Sequence, residues 1–214
     1  MRTHYLTLGM TLLLLTGAVV TADAKTLQTH CKGGGTFTSG VETNIDTNGD
    51  GQSAGLEQGA SVCNIGSFVF QQETEYVQRP VSSACPKGTT DEFYIDATHG
   101  QDRSVSTDED TGDQLFGKIT SATLCINFSS FPTPPFPFTV SGQQEAIGGT
   151  GKYTSATGSG SFHTVGNYLA FGCKGACPGP PFPVGGFGQF TVTTDGTLTL
   201  PNSDHDNGGH GKDD

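Results

Sequence analysis

The chain has 214 residues and a formal net charge of -11 at pH 7, with 32 glycines, no tryptophan and only 14% charged residues. An acidic surface repels phosphate backbones, and no basic patch interleaved with aromatic residues offsets that repulsion. The composition therefore predicts no nucleic-acid partner. The length that remains after an N-terminal leader suits one domain with a sizeable core.

Residues 1–24 have the three parts of a secretory signal. Arg2 precedes an apolar run, and Ala22–Ala24 forms an A-x-A cleavage site. We expect cleavage near Ala24, a mature chain that begins at Lys25, and a secreted protein in an extracellular or periplasmic compartment. The apolar run is too short to cross ~30 Å of hydrocarbon, and no other stretch is long enough. No membrane span is expected after cleavage.

Apolar positions recur with period two through most of the mature chain, and Gly, Asp, Asn and Pro interrupt them at short intervals. This pattern is typical of strands joined by turns too short for parallel crossovers, so it predicts an antiparallel sheet. The predicted strands are 36–45, 61–77, 92–97, 114–128, 138–147, 160–171, and a final pair at 187–193 and 197–200.

The segment after the first predicted strand has the spacing of a calcium-binding loop. Its candidate ligands are Asp46, Asn48, Asp50, the backbone carbonyl of Gln52, and Glu57 at the twelfth position. The flanking segments are strands rather than helices, so the loop is not an EF-hand. An Asx-rich turn that caps local amides is the alternative. A bound Ca2+ would be structural, and no other cofactor is required.

Carboxylates within strands are candidates for proton transfer. Glu73, Glu75 and Glu145 lie in predicted strands, and a carboxyl that faces a barrel interior is desolvated, which raises its pKa. The strand pattern does not assign one of them to the interior, so no catalytic residue is named.

Three further segments are predicted as loops. Residues 107–113 form a charge run typical of a solvated loop tip. The sequence Pro-Pro-Phe-Pro occurs at 134–137 and again at 180–183, in segments that proline holds extended. We interpret both as linkers whose Phe side chains pack on the nearest sheet; the alternative is that they cap one mouth of a barrel.

The segment from Gly148 to Phe162 reads GGTGKYTSATGSGSF. Its glycines predict a tight corner that leads into a strand of alternating small and larger residues. It resembles the GGTGKF-type turn of dirigent proteins and of the allene oxide cyclase-like barrel that they share. The resemblance implies a closed barrel with a small apolar pocket, in relatives that position hydrophobic molecules for coupling or cyclisation without a cofactor. Because no second motif aligns, and Arg79 and Arg103 are the only arginines after the leader, the family's acidic and arginine site residues are not carried over.

At the C-terminal end, Asp195-Gly196 is a hairpin turn signal between the last two predicted strands. Residues 201–214 contain acidic side chains and two histidines but nothing apolar to bury, so this tail is predicted to be disordered.

Six cysteines form an even set, which in an exported chain favours disulfides over free thiols. Six cysteines allow fifteen pairings, and the two closest in sequence could close a small loop or pair with earlier strands. The disulfide candidates are Cys31, Cys63, Cys85, Cys125, Cys173 and Cys177.

These observations predict one secreted domain over residues 25–200. An antiparallel sheet must close or split into two layers, because exposed edges invite aggregation. We expect an all-β, disulfide-stapled closed barrel of about eight strands, with a β-sandwich as the alternative.

The expected function is binding of a small apolar ligand inside the barrel, without demonstrable enzyme activity. The alternatives are a Ca2+-stabilised surface module that recognises glycan or protein, and a cofactor-free isomerase or cyclase. Oligomerisation is left open.

Overall fold

The computed structural model describes residues 24–40, 53–96, 102–172 and 185–201. These residues form nine strands and one short 3-10 helix, and none of their helices is long and apolar enough to cross a membrane. The strands are β1 Lys25–Gly40, β2 Ser53–Cys63, β3 Gly66–Arg79, β4 Asp91–Asp96, β5 Arg103–Asp108, β6 Gln114–Ile126, β7 Phe136–Gly149, β8 Thr157–Gly172 and β9 Gly185–Leu200. The 3-10 helix is Gly151–Tyr153.

All strand pairs are antiparallel, and the pairings close into a ring. β1 lies between β2 and β9, and the order continues through β8, β7 and β6. β4 and β5 share the next position, since both pair with β6 on one side and with β3 on the other. β3 pairs with β2 and completes the barrel. The predicted antiparallel closed barrel is confirmed, with nine segments in about eight positions.

Two sequence-based turn assignments are corrected. The predicted single strand 61–77 is wrong, because a turn at Asn64-Ile65 separates β2 from β3. Gly66 follows this turn with a φ of 142°, a conformation that residues with a side chain rarely adopt. The signal was missed because the apolar alternation resumes immediately after the turn.

The predicted hairpin at Asp195-Gly196 is also wrong, because β9 runs without a break from Gly185 to Leu200. Asp195 pairs with His30 on β1 and with Ser161 on β8. A strand with a partner on both sides has a hydrogen-bond acceptor and donor at each residue, and this tertiary pairing outweighs the local turn preference.

Three stretches of strand were not predicted, namely residues 25–35 of β1, residues 53–60 of β2 and all of β5. β5 covers Arg103–Asp108, so Thr107 and Asp108 of the predicted charged loop belong to the sheet, while the turn itself begins at Glu109. The serines and threonine of β5 carry little apolar signal, and a strand this short is recognised only through its neighbours.

Alternation across the strands places two apolar clusters inside the barrel. The larger one is rich in aromatic rings, and Phe37 contacts both Phe138 and Tyr168 edge to face, at centroid distances of 5.2 and 4.7 Å. The smaller one gathers Phe68, Tyr153, Ala156 and Leu198.

The first Pro-Pro-Phe-Pro repeat contributes to the larger cluster. Phe136 begins β7, is 1% exposed, and packs against the rings of Phe128 and Phe131 at centroid distances of 5.2 and 6.2 Å. Its ring is therefore part of the barrel core. The second repeat, at 180–183, lies outside the described residues, as does the tail after Pro201.

The glycine-rich corner is attached to the barrel through a buried carboxylate. Asp108 accepts hydrogen bonds from Lys152 Nζ at 2.6 Å and from the Tyr153 hydroxyl at 3.0 Å. Gly151 has a φ of 51°, and a Cβ there would collide with the carboxylate of Asp113. The corner thus needs its glycine for a backbone shape that brings Lys152 and Tyr153 onto Asp108.

Two disulfides are present among the described residues. Cys31 and Cys63 face each other across β1 and β2, and their sulfur atoms are 2.03 Å apart. Cys85 and Cys125 connect the segment between β3 and β4 to β6. The other two candidates, Cys173 and Cys177, lie outside the described residues.

Candidate ligand cavity

A cavity of about 170 Å³ lies inside the barrel, between the two apolar clusters. Phe162 and Phe190 of the larger cluster and Phe68 and Leu198 of the smaller cluster line it. Polar side chains complete the wall: Glu57, Gln72, Thr74 and Tyr76 come from β2 and β3, and further hydroxyl groups come from β1, β5, β8 and β9. The wall therefore combines apolar residues of both clusters with polar groups from most strands.

Glycines on β8 and β9 keep this space open. Gly158, Gly160 and Gly196 line the cavity and place no side chain in it. The two strands also approach closely here, since a Cβ on Gly160 would lie 2.6 Å from the carbonyl oxygen of Asp195. In the alternation Gly-Ser-Gly-Ser-Phe at 158–162, both glycines line the cavity, whereas both serines are exposed and Ser159 also borders the cavity.

The polar side chains from β2 and β3 form a chain of hydrogen bonds that ends at Glu57. The Thr74 hydroxyl donates to the Tyr76 hydroxyl at 2.8 Å, and Tyr76 donates to Glu57 Oε1 at 3.2 Å. Gln72 Nε2 donates to Glu57 Oε2 at 3.4 Å. Because side chains alternate along a strand, the three donors at positions 72, 74 and 76 share the inner face of β3.

The barrel interior shifts the acid-base properties of these groups. Burial raises the pKa of Glu57 to about 7, against the opposing hydrogen bond from Tyr76, and the negative charge of Asp102 adds to the increase. Burial also raises the pKa of Tyr76 and that of Tyr168, and Glu57 contributes to both increases. Glu57 can therefore exchange a proton near neutral pH, whereas both phenols remain protonated.

Asp102 fills the interruption between β4 and β5. Its Oδ1 accepts a hydrogen bond from the Glu75 amide at 2.9 Å, and its carbonyl oxygen accepts one from the Ile119 amide at 3.1 Å. The side chain is 2% exposed, and its Oδ2 has no hydrogen-bond partner among the described residues. Burial raises the pKa of Asp102 to about 6, and the carboxylates of Glu75 and Glu73 add to the increase.

Of the predicted calcium ligands, the structure describes only Glu57. Its side chain lies in the barrel, whereas Asp46, Asn48, Asp50 and Gln52 lie outside the described residues, so the calcium loop stays a prediction. Within the described part of the chain, no group of three or more His, Cys, Asp or Glu side chains is arranged to hold a metal ion.

Of the three strand carboxylates singled out from the sequence, only Glu145 lines the cavity, and none of them belongs to the hydrogen-bonded chain that ends at Glu57. Glu73 and Glu75 lie on the face of β3 opposite Thr74 and Tyr76, and the side chain of Glu145 is exposed. The signal that could have identified the polar wall is the alternation Phe68, Phe70, Gln72, Thr74, Tyr76, which continues an apolar face with polar residues. Glu57 gave no such signal, because its neighbours on the same face of β2, Gly55 and Gly59, carry no side chain.

Comparison with protein families, with curated proteins and with solved structures finds no match. The resemblance of residues 148–162 to the dirigent and allene oxide cyclase-like turn therefore stays a prediction.

Proposed function

We propose that this barrel binds a small, mainly apolar molecule in its internal cavity. The observation that carries the proposal is the 170 Å³ space bounded by aromatic rings and by the carboxyl group of Glu57. A cavity of about 150 Å³ accommodates a benzene ring, so this one suits a single ring with a short substituent. Mostly apolar walls with few convergent polar groups are typical of small-molecule sites.

A pair of Val→Phe variants tests this proposal. Val192 lines the cavity, whereas Val165 is 47% exposed on the outer surface. Val192→Phe should fill the space and abolish binding of small ring compounds, measured by titration calorimetry and native mass spectrometry. Val165→Phe should bind as the wild type does. If no apolar ring compound binds the wild-type protein, or if Val192→Phe binds as well as the wild type, the proposal is wrong.

Cofactor-free isomerisation is the second candidate function, and the position of Glu57 favours it. A carboxyl with a pKa of about 7 can both accept and donate a proton at neutral pH, and the Tyr76 hydroxyl beside it can donate a hydrogen bond to a substrate oxygen. Exchange of deuterium from solvent into small enolisable ketones, followed by NMR, tests this function. It should occur with the wild type and be lost in Glu57→Gln.

Export and calcium binding complete the proposal. Two disulfides support maturation in an oxidising compartment, and N-terminal sequencing of exported protein should find Lys25 first.

Titration of the mature protein with Ca2+ should release or absorb heat, and Asp50→Ala should abolish this heat. A Ca2+-stabilised surface module would keep this heat and bind no ring compound.

A further inference from the structure

We propose that the ligand is a small protonated amine with an apolar body, whose ammonium group pairs with Glu57. This inference rests on the proposed function, since it names the class of molecule that occupies the same cavity. It follows from the charges in the wall, the hydrogen bonds of Glu57 and the aromatic faces around the space.

The cavity wall carries negative charge without a compensating cation. Glu57 lines the cavity, and among the described residues that line it there is no lysine, arginine or histidine. The titratable groups that act on Glu57 from the surrounding strands are Tyr76, Tyr168 and Asp102, and none of them is cationic. An ionised carboxylate in such a place is costly unless a positive partner joins it.

Glu57 keeps room for that partner. Its two oxygens accept hydrogen bonds from Tyr76 and Gln72, both neutral donors, at 3.2 and 3.4 Å. A carboxylate has about four lone-pair sites, so at least one on each oxygen remains for an ammonium N–H. The two donors hold the carboxylate in place, and the ligand supplies the missing charge.

Aromatic rings line part of the remaining space, beside aliphatic and hydroxyl side chains. Phe70 and Phe190 lie with their ring centroids 6.2 Å apart, and Phe162 also lines the cavity. Aromatic faces attract ammonium groups and also pack against an apolar ring. The net charge of -11 favours the approach of cations over that of anions. An arylalkylamine of about one ring and one to two carbons matches the volume.

Benzylamine and benzyl alcohol form the deciding pair of probes, because they have nearly the same shape and differ in charge. Titration calorimetry on the mature protein at about pH 8 keeps Glu57 ionised and an alkylammonium protonated. We expect benzylamine to bind at least about tenfold more tightly than benzyl alcohol, a difference of about 1.4 kcal/mol.

Substitutions at Glu57 assign the preference to this carboxylate. Glu57→Gln should bind the two probes equally, with the affinity for benzyl alcohol unchanged, and retained alcohol binding shows that the variant is folded. Glu57→Asp keeps the charge and should keep a preference for the amine. Glu109→Gln, the same change at an exposed carboxylate that does not line the cavity, should behave like the wild type.

The outcomes separate the two proposals. If benzyl alcohol binds as tightly as benzylamine, or if Glu57→Gln keeps the preference for the amine, the amine assignment is overturned while ligand binding stands. If neither probe binds the wild-type protein, and other ring compounds also fail, both proposals are overturned.

Discussion

The buried side chain of Asp108 attaches the glycine-rich corner to the barrel. It is 1% exposed and receives hydrogen bonds from Lys152, Tyr153 and the backbone amides of Asp110 and Thr111. The hydrogen bond from Lys152 is the main reason that the pKa of Asp108 falls to about 2, against the effect of burial. The charged form is therefore strongly preferred in the folded protein.

Asp108→Asn should lower the free energy of unfolding by about 2 kcal/mol at neutral pH, since a pKa reduced by nearly two units stabilises the fold by roughly that amount. A carboxyl with a lowered folded pKa contributes fully above the unfolded value of 3.8, and this contribution is lost as the pH falls towards about 2. Urea unfolding at several pH values should therefore show the wild type and the variant converging in acid.

Asp110→Asn is the matched control for this prediction, because Asp110 is exposed on the same turn. It should change stability by less than about 0.5 kcal/mol. Equal effects of the two substitutions would contradict the role of Asp108.

At the scale of elements, the barrel depends on strands that approach closely and on loops that are tied down. β8 and β9 pair along almost their whole lengths, and glycines at the inner positions permit their close approach. The segment between β3 and β4 is fixed instead by Cys85–Cys125 and by hydrogen bonds from Ser82 to Glu92. Substitution of the glycines or removal of the disulfide should therefore lower the stability of the barrel.

Gly160→Ala should destabilise the protein by about 1–3 kcal/mol, because the added methyl group overpacks the contact between β8 and β9. Its Cβ would lie 2.6 Å from a backbone oxygen of β9, which cannot rotate away as a side chain can. Thermal and urea unfolding measure the effect. Ser161→Ala, at the next and exposed position of β8, should have little effect, and a larger loss there than at Gly160 would refute the explanation.

The double variant Cys85→Ser, Cys125→Ser should lose about 4 kcal/mol, the loop-closure contribution of a disulfide that spans a segment of this length. The two cysteines are 40 residues apart in the sequence. The denatured chain gains freedom when the cross-link is removed, so urea unfolding should show a lower midpoint and a steeper slope. An unchanged midpoint would mean that the disulfide does not restrict the denatured chain, and would contradict the prediction.

At the scale of the whole molecule, buried carboxyl groups make the stability of the fold decrease from mildly acidic to neutral pH. The folded pKa values of Asp102 and Glu57, about 6 and about 7, lie above the usual values of 3.8 and 4.5. The folded state therefore binds protons more tightly than the unfolded chain does. Stability should fall as the pH rises through this window, and the net charge of -11 adds repulsion in the same direction.

Asp102→Asn should be more stable than the wild type above about pH 6, by up to about 3 kcal/mol, because it removes an ionisation that opposes folding. Its side-chain oxygen can still accept the hydrogen bond from the Glu75 amide, so the interruption between β4 and β5 stays filled. Below about pH 4 the two proteins should be equally stable, since the wild-type carboxyl is then protonated in both states. Parallel stability curves across this range would contradict the assignment.

Period-two alternation and the short turns were sufficient to predict an antiparallel sheet, since both are local signals, whereas a barrel was preferred to a sandwich because of the resemblance of residues 148–162. The polar contacts could not be predicted in the same way. Tyr76 reaches Glu57 across 19 residues of sequence, and Tyr153 reaches Asp108 across 45. Such pairs depend on strand register; for Tyr76 and Glu57 the turn at Asn64-Ile65 sets it, and this turn was not recognised in the sequence. The candidate site therefore emerged only when the ring of strands was known.

The disulfide Cys31–Cys63 lies in the wall of the cavity, beside the place where a ligand would rest. A thiol reductant must reach one of these sulfur atoms in line with the bond that it breaks. A reductant small enough to enter the cavity could attack these sulfur atoms from inside the barrel. A ligand in the cavity would then slow reduction of this disulfide. The half-life of the disulfide in a small thiol reductant would increase with the residence time of the ligand.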